Sequence, residues 1–252
     1  MGERTSYDPG TFSYAELATS DAEAAQAFYT AVFGWTYDSI PMGDDMPPYH
    51  PIYLDGKQAG ALFEAGDQPP HWNSYVTVAS VADASGKAAG LGATVVMEPF
   101  DVMGLGDMAV ISDPSGAFLS LWQAKQHIGS EVVNRPGALA WNDLITPDPE
   151  AAERFYGGLF GWTFQEMPGS GGYRVITNGG RSNGGIFPKE DVPVPAWLPY
   201  FGIEDLDRMI AELDGLGGKL LNGPVEVPAG RFAVCADPQG AMFAVLTGDY
   251  DD

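Results

Sequence analysis

The sequence predicts an α+β fold made of four strand-helix-strand-strand-strand (βαβββ) units, arranged as two copies of one domain. Three observations lead there. Phe28-Tyr29 with Phe33-Gly34-Trp35 returns as Phe155-Tyr156 with Phe160-Gly161-Trp162, an offset of 127 residues from Phe28 to Phe155. Asp113-Pro114-Ser115-Gly116 returns as Asp237-Pro238-Gln239-Gly240, where the offset has fallen to 124, so only short loop insertions separate the copies. Inside each copy an alternating apolar segment followed by a helical pattern occurs twice.

The elements follow in order. Residues 11–19 and 138–146 alternate with a period of two and predict the opening strands. Ser20 or Asp21 caps the first helix and Asp148, after Pro147, caps its counterpart; Gly34 and Gly161 are placed to end them. Trp35 and Trp162 open the next strands, followed by short strands at 49–54 and 59–63, and at 173–177 and 184–187. The pattern then restarts with a strand at 73–78, a helix at 81–91 stopped by Gly92, and strands at 94–98, 108–112 and 118–122. The second copy matches with 198–203, a helix at 206–216, and strands at 219–221, 232–236 and 242–246. Two domains are expected, residues 11–124 and 137–248, joined by a linker over 125–136. At about 125 residues each is expected to bury its own core.

Composition narrows the function classes. A hydrophobic content of 45% excludes a disordered chain, and 34 acidic against 12 basic residues give a net charge of -22. Such a surface repels phosphate backbones and anionic lipid, so neither nucleic acid nor a membrane is an expected partner. One cysteine, Cys235, has no internal partner and reads as a buried thiol. Residues 1–14 lack the apolar run of a signal peptide, and the match of residues 1–6 to a myristoylation pattern is read as chance, which points to a cytoplasmic protein.

Four such units, helices ending in Phe-Tyr-x-x-x-Phe-Gly-Trp and Asp-Pro-x-Gly before the last strand of each copy resemble the vicinal oxygen chelate (VOC) superfamily. That superfamily includes glyoxalase I, bleomycin resistance proteins and extradiol dioxygenases. The resemblance implies two glyoxalase-like domains in a fused pseudo-dimer, with half-barrels curving around clefts and, in the metal enzymes, ligands on the first and last strands of each unit. Counting along the motifs places those positions at Tyr14, Leu62, Asn73 and Ser120, and at Trp141, Ile186, Leu198 and Ala244. None of them is His, Glu, Asp or Cys, and His50, His71 and His127 fall outside the ligand strands. No metal and no cofactor is expected.

Strand alternation puts Glu16 on the face of Tyr14, and Asp143 on that of Trp141, giving one carboxylate per cleft and two candidate general acid or base groups. A carboxylate tied to backbone amides, or paired with Arg231 or Arg174, is the structural alternative. Candidate ligand contacts are Tyr14, Asn73, Tyr75, Ser120, Trp122, Trp141, Tyr200 and Arg231, an aromatic wall with a few polar groups. In the family's fused-dimer arrangement Trp141 and Asp143 join Asn73, Tyr75, Ser120 and Trp122, while Tyr14 and Glu16 join Tyr200, Leu246 and Arg231; the sequence leaves that pairing open.

The expected function is metal-independent binding of a small aromatic or apolar metabolite or antibiotic, as in bleomycin resistance proteins. A metal-independent isomerase, lyase or cyclase using Glu16 or Asp143 is the alternative, and a metal-dependent glyoxalase I-type lyase or dioxygenase ranks third. The internal duplication favours a monomer over a homodimer.

Overall fold

The computed structural model describes residues 2–43 and 46–250. Strand β1 (Phe12–Thr19) leads through Asp21, whose side chain accepts from the Ala24 amide, into α1 (Ala22–Phe33), which Gly34 ends at φ 72°. Then come β2 (Thr36–Tyr37), β3 (Tyr49–Leu54), β4 (Lys57–Glu64), β5 (His71–Thr77), α2 (Val81–Gly90), β6 (Thr94–Asp101), β7 (Gly106–Ser112) and β8 (Phe118–Ala124). The second half repeats the series: β9 (Leu139–Thr146), α3 (Pro149–Phe160), β10 (Thr163–Glu166), β11 (Arg174–Asn178), β12 (Arg181–Pro188), β13 (Ala196–Gly202), α4 (Leu206–Leu213), β14 (Lys219–Val227), β15 (Gly230–Ala236) and β16 (Met242–Gly248). The βαβββ reading holds in all four units, and β14 is longer than the expected 219–221.

Each half forms one eight-stranded mixed sheet, in the orders β2-β3-β4-β1-β5-β8-β7-β6 and β10-β11-β12-β9-β13-β16-β15-β14. The two units of a half meet where β1 pairs antiparallel with β5, and β9 with β13. On the concave sides, therefore, units pair within each half. This corrects the crossed arrangement: Glu16 lies opposite Asn73, and Asp143 opposite Leu198.

The helix sides are crossed instead. One core joins α1 residues Phe28, Tyr29 and Phe33 to Leu206, Met209, Cys235 and Phe243 of the second half. The other joins Phe155, Tyr156 and Leu159 of α3 to Val76, Val81, Ile111 and Leu121 of the first. Each core is thus built by both halves, and the expectation that each domain buries its own core is wrong. An eight-stranded sheet with only two helices has too little apolar cover on its convex face, so each half borrows the other's helix.

The repeated motifs make this crossing specific. Trp72 Nε1 donates to Tyr29 Oη at 3.0 Å, and Tyr29 Oη donates to Asp237 Oδ2 of the other half at 3.0 Å. The mirror chain runs from Trp197 Nε1 to Tyr156 Oη at 2.9 Å and on to Asp113 Oδ2 at 2.9 Å. Trp35 and Trp162, after the helix-ending glycines, donate to the carbonyls of Gly137 and Gly10 across the same boundary. The linker is equally engaged: Val132 and Val133 are buried in the first core, and Glu3 bridges Val132.

Candidate functional site

Concave faces carry what the helix-side cores leave over. In the first cleft, Tyr14, Ala61, Tyr75 and Trp122 cluster with Tyr49, Val102 and Met108. Glu16, 8% exposed, sits among them and accepts from Tyr75 Oη at 2.6 Å on Oε2 and from Tyr49 Oη at 2.7 Å on Oε1. Gln58 Nε2 donates to Tyr14 Oη at 3.1 Å, which lies 3.5 Å from Tyr49 Oη, extending the polar chain. Burial raises the Glu16 carboxyl above its ordinary range, while the two phenols and nearby His71 pull it back down. The phenols are in turn pushed up, first by burial and then by the Glu16 charge, so they remain donors at neutral pH.

The second cleft repeats this motif with one substitution of scale. Asp143, 4% exposed, accepts from Tyr200 Oη at 2.7 Å on Oδ2, and on Oδ1 from both Tyr173 Oη at 2.8 Å and Trp141 Nε1 at 3.0 Å. Burial again raises the carboxyl and the three donors oppose it. The shorter side chain has room because Gly185, its strand neighbour, has no Cβ: one built there would meet Tyr173 Oη at 2.1 Å and Asp143 Oδ1 at 2.5 Å. The remaining lining is apolar, with Leu198, Tyr200, Ala244 and Leu246 packed by Trp141, Phe232, Val234 and Tyr250.

The structure therefore brings together Tyr14, Glu16, Asn73, Tyr75, Ser120 and Trp122 in one cleft, and Trp141, Asp143 and Tyr200 in the other. Asn73 faces the first cleft opposite Glu16, and Ser120 sits beside Tyr75 across the β5–β8 ladder. Arg231 belongs to neither. Its strand neighbours Phe232 and Val234 face the second cleft, so Arg231 points to the helix side, where it pairs with Asp207 at 2.9 Å and Glu226 at 3.1 Å. Arg174 is likewise engaged elsewhere, with Glu150 and Glu153, so phenols, joined at Asp143 by the Trp141 indole, hold the carboxylates in place of arginine or backbone amides. The sequence reading missed Tyr49 and Tyr173. They occupy equivalent positions of the repeat, and that shared identity is the signal that would have found them.

The outer wall of the first cleft is its most exposed apolar surface. Phe100 lies directly opposite Met108 and Met97 opposite Val110 on the β6–β7 hairpin, so both share the cleft face of Met108, and they are 41% and 44% exposed. The rim on the other side is polar, with half-buried His71 and Asn73. His127 stacks edge-on against Tyr14 and Trp122 and closes one end.

Comparison with known proteins fits this architecture. Residues 138–245 match the family model "Glyoxalase/Bleomycin resistance protein/Dioxygenase superfamily", and residues 11–46 match "Bleomycin resistance protein-like N-terminal". "Putative glyoxylase CFP32" of Mycobacterium tuberculosis is 38% identical over 98% of both chains. "Anthracycline biosynthesis protein DauV" of Streptomyces sp. (strain C5) is 30% identical over 96% of this chain and 94% of its own. Among solved structures, a Mn(II)-bound glyoxalase from Novosphingobium aromaticivorans superposes with a TM-score of 0.69 at 15% identity, covering 100% of this chain and 84% of that one. The 2,3-dioxygenase LapB from Pseudomonas sp. KL28 gives 0.67 at 16% identity, over 97% and 94%. The chain belongs to the glyoxalase/bleomycin resistance protein/dioxygenase superfamily.

A Mn(II) site in a structural relative raises the question of whether these residues fit such an ion. They do not. Among the described residues no group of three or more His, Cys, Asp or Glu side chains stands close enough to hold a metal. Each cleft offers one carboxylate whose oxygens already accept phenol hydrogens, and a divalent ion needs several convergent donors to replace its water. The middle-strand positions Leu62 and Ile186 face the helix-side cores, one residue out of register with the cleft, where Ala61 and Gly185 stand and offer no ligand either. Among the described residues no helix is long and apolar enough to cross a membrane.

Proposed function

We propose that this superfamily member binds a flat, largely apolar small molecule in its first cleft, without a metal ion, through a hydrogen-bond donor on the ligand that reaches Glu16. The carrying observation is the state of that carboxylate. Each Glu16 oxygen accepts one phenol hydrogen in the structure, and a carboxylate oxygen has two acceptor positions, so one remains on each for a ligand hydroxyl or N–H. Trp122, Tyr14, Met108 and exposed Phe100 supply the apolar faces, and a cleft of that composition suits an aromatic ring system. Similarity to an anthracycline biosynthesis protein points the same way, since anthracyclines are planar, polycyclic and rich in phenolic hydroxyls. The binder acts as a monomer in the cytoplasm; the crossed cores already satisfy the two halves, and burial pushes the single Cys235 thiol up to about 12, which keeps it protonated and inert.

The test is calorimetric titration with a hydroxylated anthraquinone. Wild-type protein should bind saturably, and Glu16→Gln should weaken binding about tenfold or more, because a hydrogen bond to a charged group contributes roughly 1.5–3 kcal/mol. Asp143→Asn should leave the affinity unchanged. Absence of saturable binding to wild-type protein, or a loss in Asp143→Asn instead of Glu16→Gln, would reject the assignment.

One observation favours a second reading. Desolvation raises the Glu16 carboxyl above its ordinary range, which makes its carboxylate a stronger base, so Glu16 is also suited to move a proton on a bound carbonyl compound. In that case Glu16→Gln abolishes turnover of the ligand while altering its binding much less.

A further inference from the structure

Beside the second cleft, with which it shares Trp141, the structure holds a cavity of about 640 Å³ at the boundary between the halves. Its walls are the N-terminal arm from Arg4 to Phe12, the linker at Val133, the start of β9 and the β11–β12 turn. The volume is that of a small-molecule site. Its lining is unusual for this chain. Arg4 and Arg181 both face it with Asp8 as the sole acid, in a protein whose 34 acidic residues outnumber 12 basic ones. Among the described residues neither arginine forms an ion pair, a state shared by Arg154, whereas Arg135, Arg174, Arg208 and Arg231 are paired, and Arg4 Nη1 donates only to the Glu3 carbonyl at 3.2 Å. Two guanidinium groups against the single carboxylate of Asp8, gathered in one concavity, leave a local excess of positive charge in a strongly acidic protein.

The remaining wall defines what the anion is attached to. Trp141 lines the cavity on one side, while the Phe12 ring is committed to the core against Trp162 and Trp197. Asn178 closes the floor, its Nδ2 donating to Pro9 O at 3.0 Å and Thr11 Oγ1 at 3.2 Å, which ties the N-terminal arm to the second half and keeps the cavity formed. From these features we infer that this cavity is a second binding site, for an aromatic carboxylate whose ring lies against Trp141 and whose anionic group is held by Arg4 and Arg181. A planar carboxylate matches the planar fork of arginine, and a ring matches an indole face. Trp141 also donates through Nε1 to Asp143 Oδ1 and to Tyr173 Oη, both at 3.0 Å, so an occupant would be felt at the second cleft.

The experiment uses 2-naphthoate, with uncharged 2-naphthamide of the same shape as control and inorganic phosphate as a ring-free anion. Binding is followed on the full chain by calorimetry and by the ¹H–¹⁵N signal of the Trp141 indole, identified by its disappearance in Trp141→Phe. The expected result is saturable 2-naphthoate binding that shifts the Trp141 signal, at least tenfold weaker binding of 2-naphthamide, and tenfold or greater loss in each of Arg4→Gln and Arg181→Gln with the melting temperature unchanged. Glu16→Gln should bind 2-naphthoate as wild type does, which separates this site from the first cleft. Equal affinity for the acid and its amide, undiminished binding in the double arginine variant, or no saturation by 2-naphthoate would overturn the inference. Phosphate competing as strongly as 2-naphthoate would overturn the aromatic part of it.

Discussion

The two clefts are copies of one design that differ in how their carboxylates are hydrogen-bonded. In both, a buried carboxylate on the first strand of the half is gripped by two tyrosines at equivalent positions of the repeat. Glu16 receives two hydrogen bonds, one on each oxygen, and keeps open acceptor positions toward a cleft with exposed Met97 and Phe100 on its wall. Asp143 receives three, and Trp141 completes the coordination of Oδ1. Where the first half has Ala61, the second has Gly185, which lets the shorter acid and Tyr173 close on one another. A duplicated fold can thus keep its frame and still specialise, because filling Oδ1 of Asp143 leaves that carboxylate one open acceptor position where Glu16 has two.

The largest effect is expected from separating the halves. If each cleft stood on an independent domain, residues 1–128 would fold alone; the crossed cores predict that neither half shows a cooperative thermal transition near that of the full chain, because Phe28, Tyr29, Phe155 and Tyr156 would be left uncovered. Mixing the separately produced halves should restore it. A half that melts cooperatively by itself would break the shared-core account.

Next in size is Gly185→Ala, which gives the second cleft the first cleft's residue. The added Cβ would meet Tyr173 Oη at 2.1 Å and an Asp143 oxygen at 2.5 Å, so urea denaturation should show a loss of about 1–3 kcal/mol, the usual cost of overpacking. A neutral result would mean that the Asp143–Tyr173 contact is looser than described and that the two clefts differ less.

The smallest effect is a pH slope. Both carboxyls are raised in the folded state, so the folded protein binds more protons than the unfolded chain between the ordinary carboxylate range and the raised value. Stability therefore falls as pH rises through that window and is flat above it. Relative to wild type, the Glu16→Gln and Asp143→Asn variants should each lose part of this slope, with at most about 1.4 kcal/mol per pH unit from one group. Identical pH profiles for wild type and both variants would show that the phenols fully offset the cost of burial.

Much of this was legible in residue order. The duplicated Phe-Tyr-x-x-x-Phe-Gly-Trp and Asp-Pro-x-Gly motifs, the αL glycines Gly34 and Gly161, and the alternation of β1 and β9 determine the four units, and alternation alone places Glu16 and Asp143 on concave faces. Local geometry suffices for these, since strand period and helix capping depend on neighbours in the chain. What joins to what was decided only in three dimensions. Tyr29 finds Asp237 and Tyr156 finds Asp113 across the boundary between halves, Arg231 turns to Asp207 on the helix side, and Tyr49 and Tyr173 reach carboxylates far from them in the chain. Those pairings follow from two sheets seeking cover for their convex faces and two buried acids seeking donors, demands that several partners in the sequence are equally fit to meet and that only the packed molecule assigns.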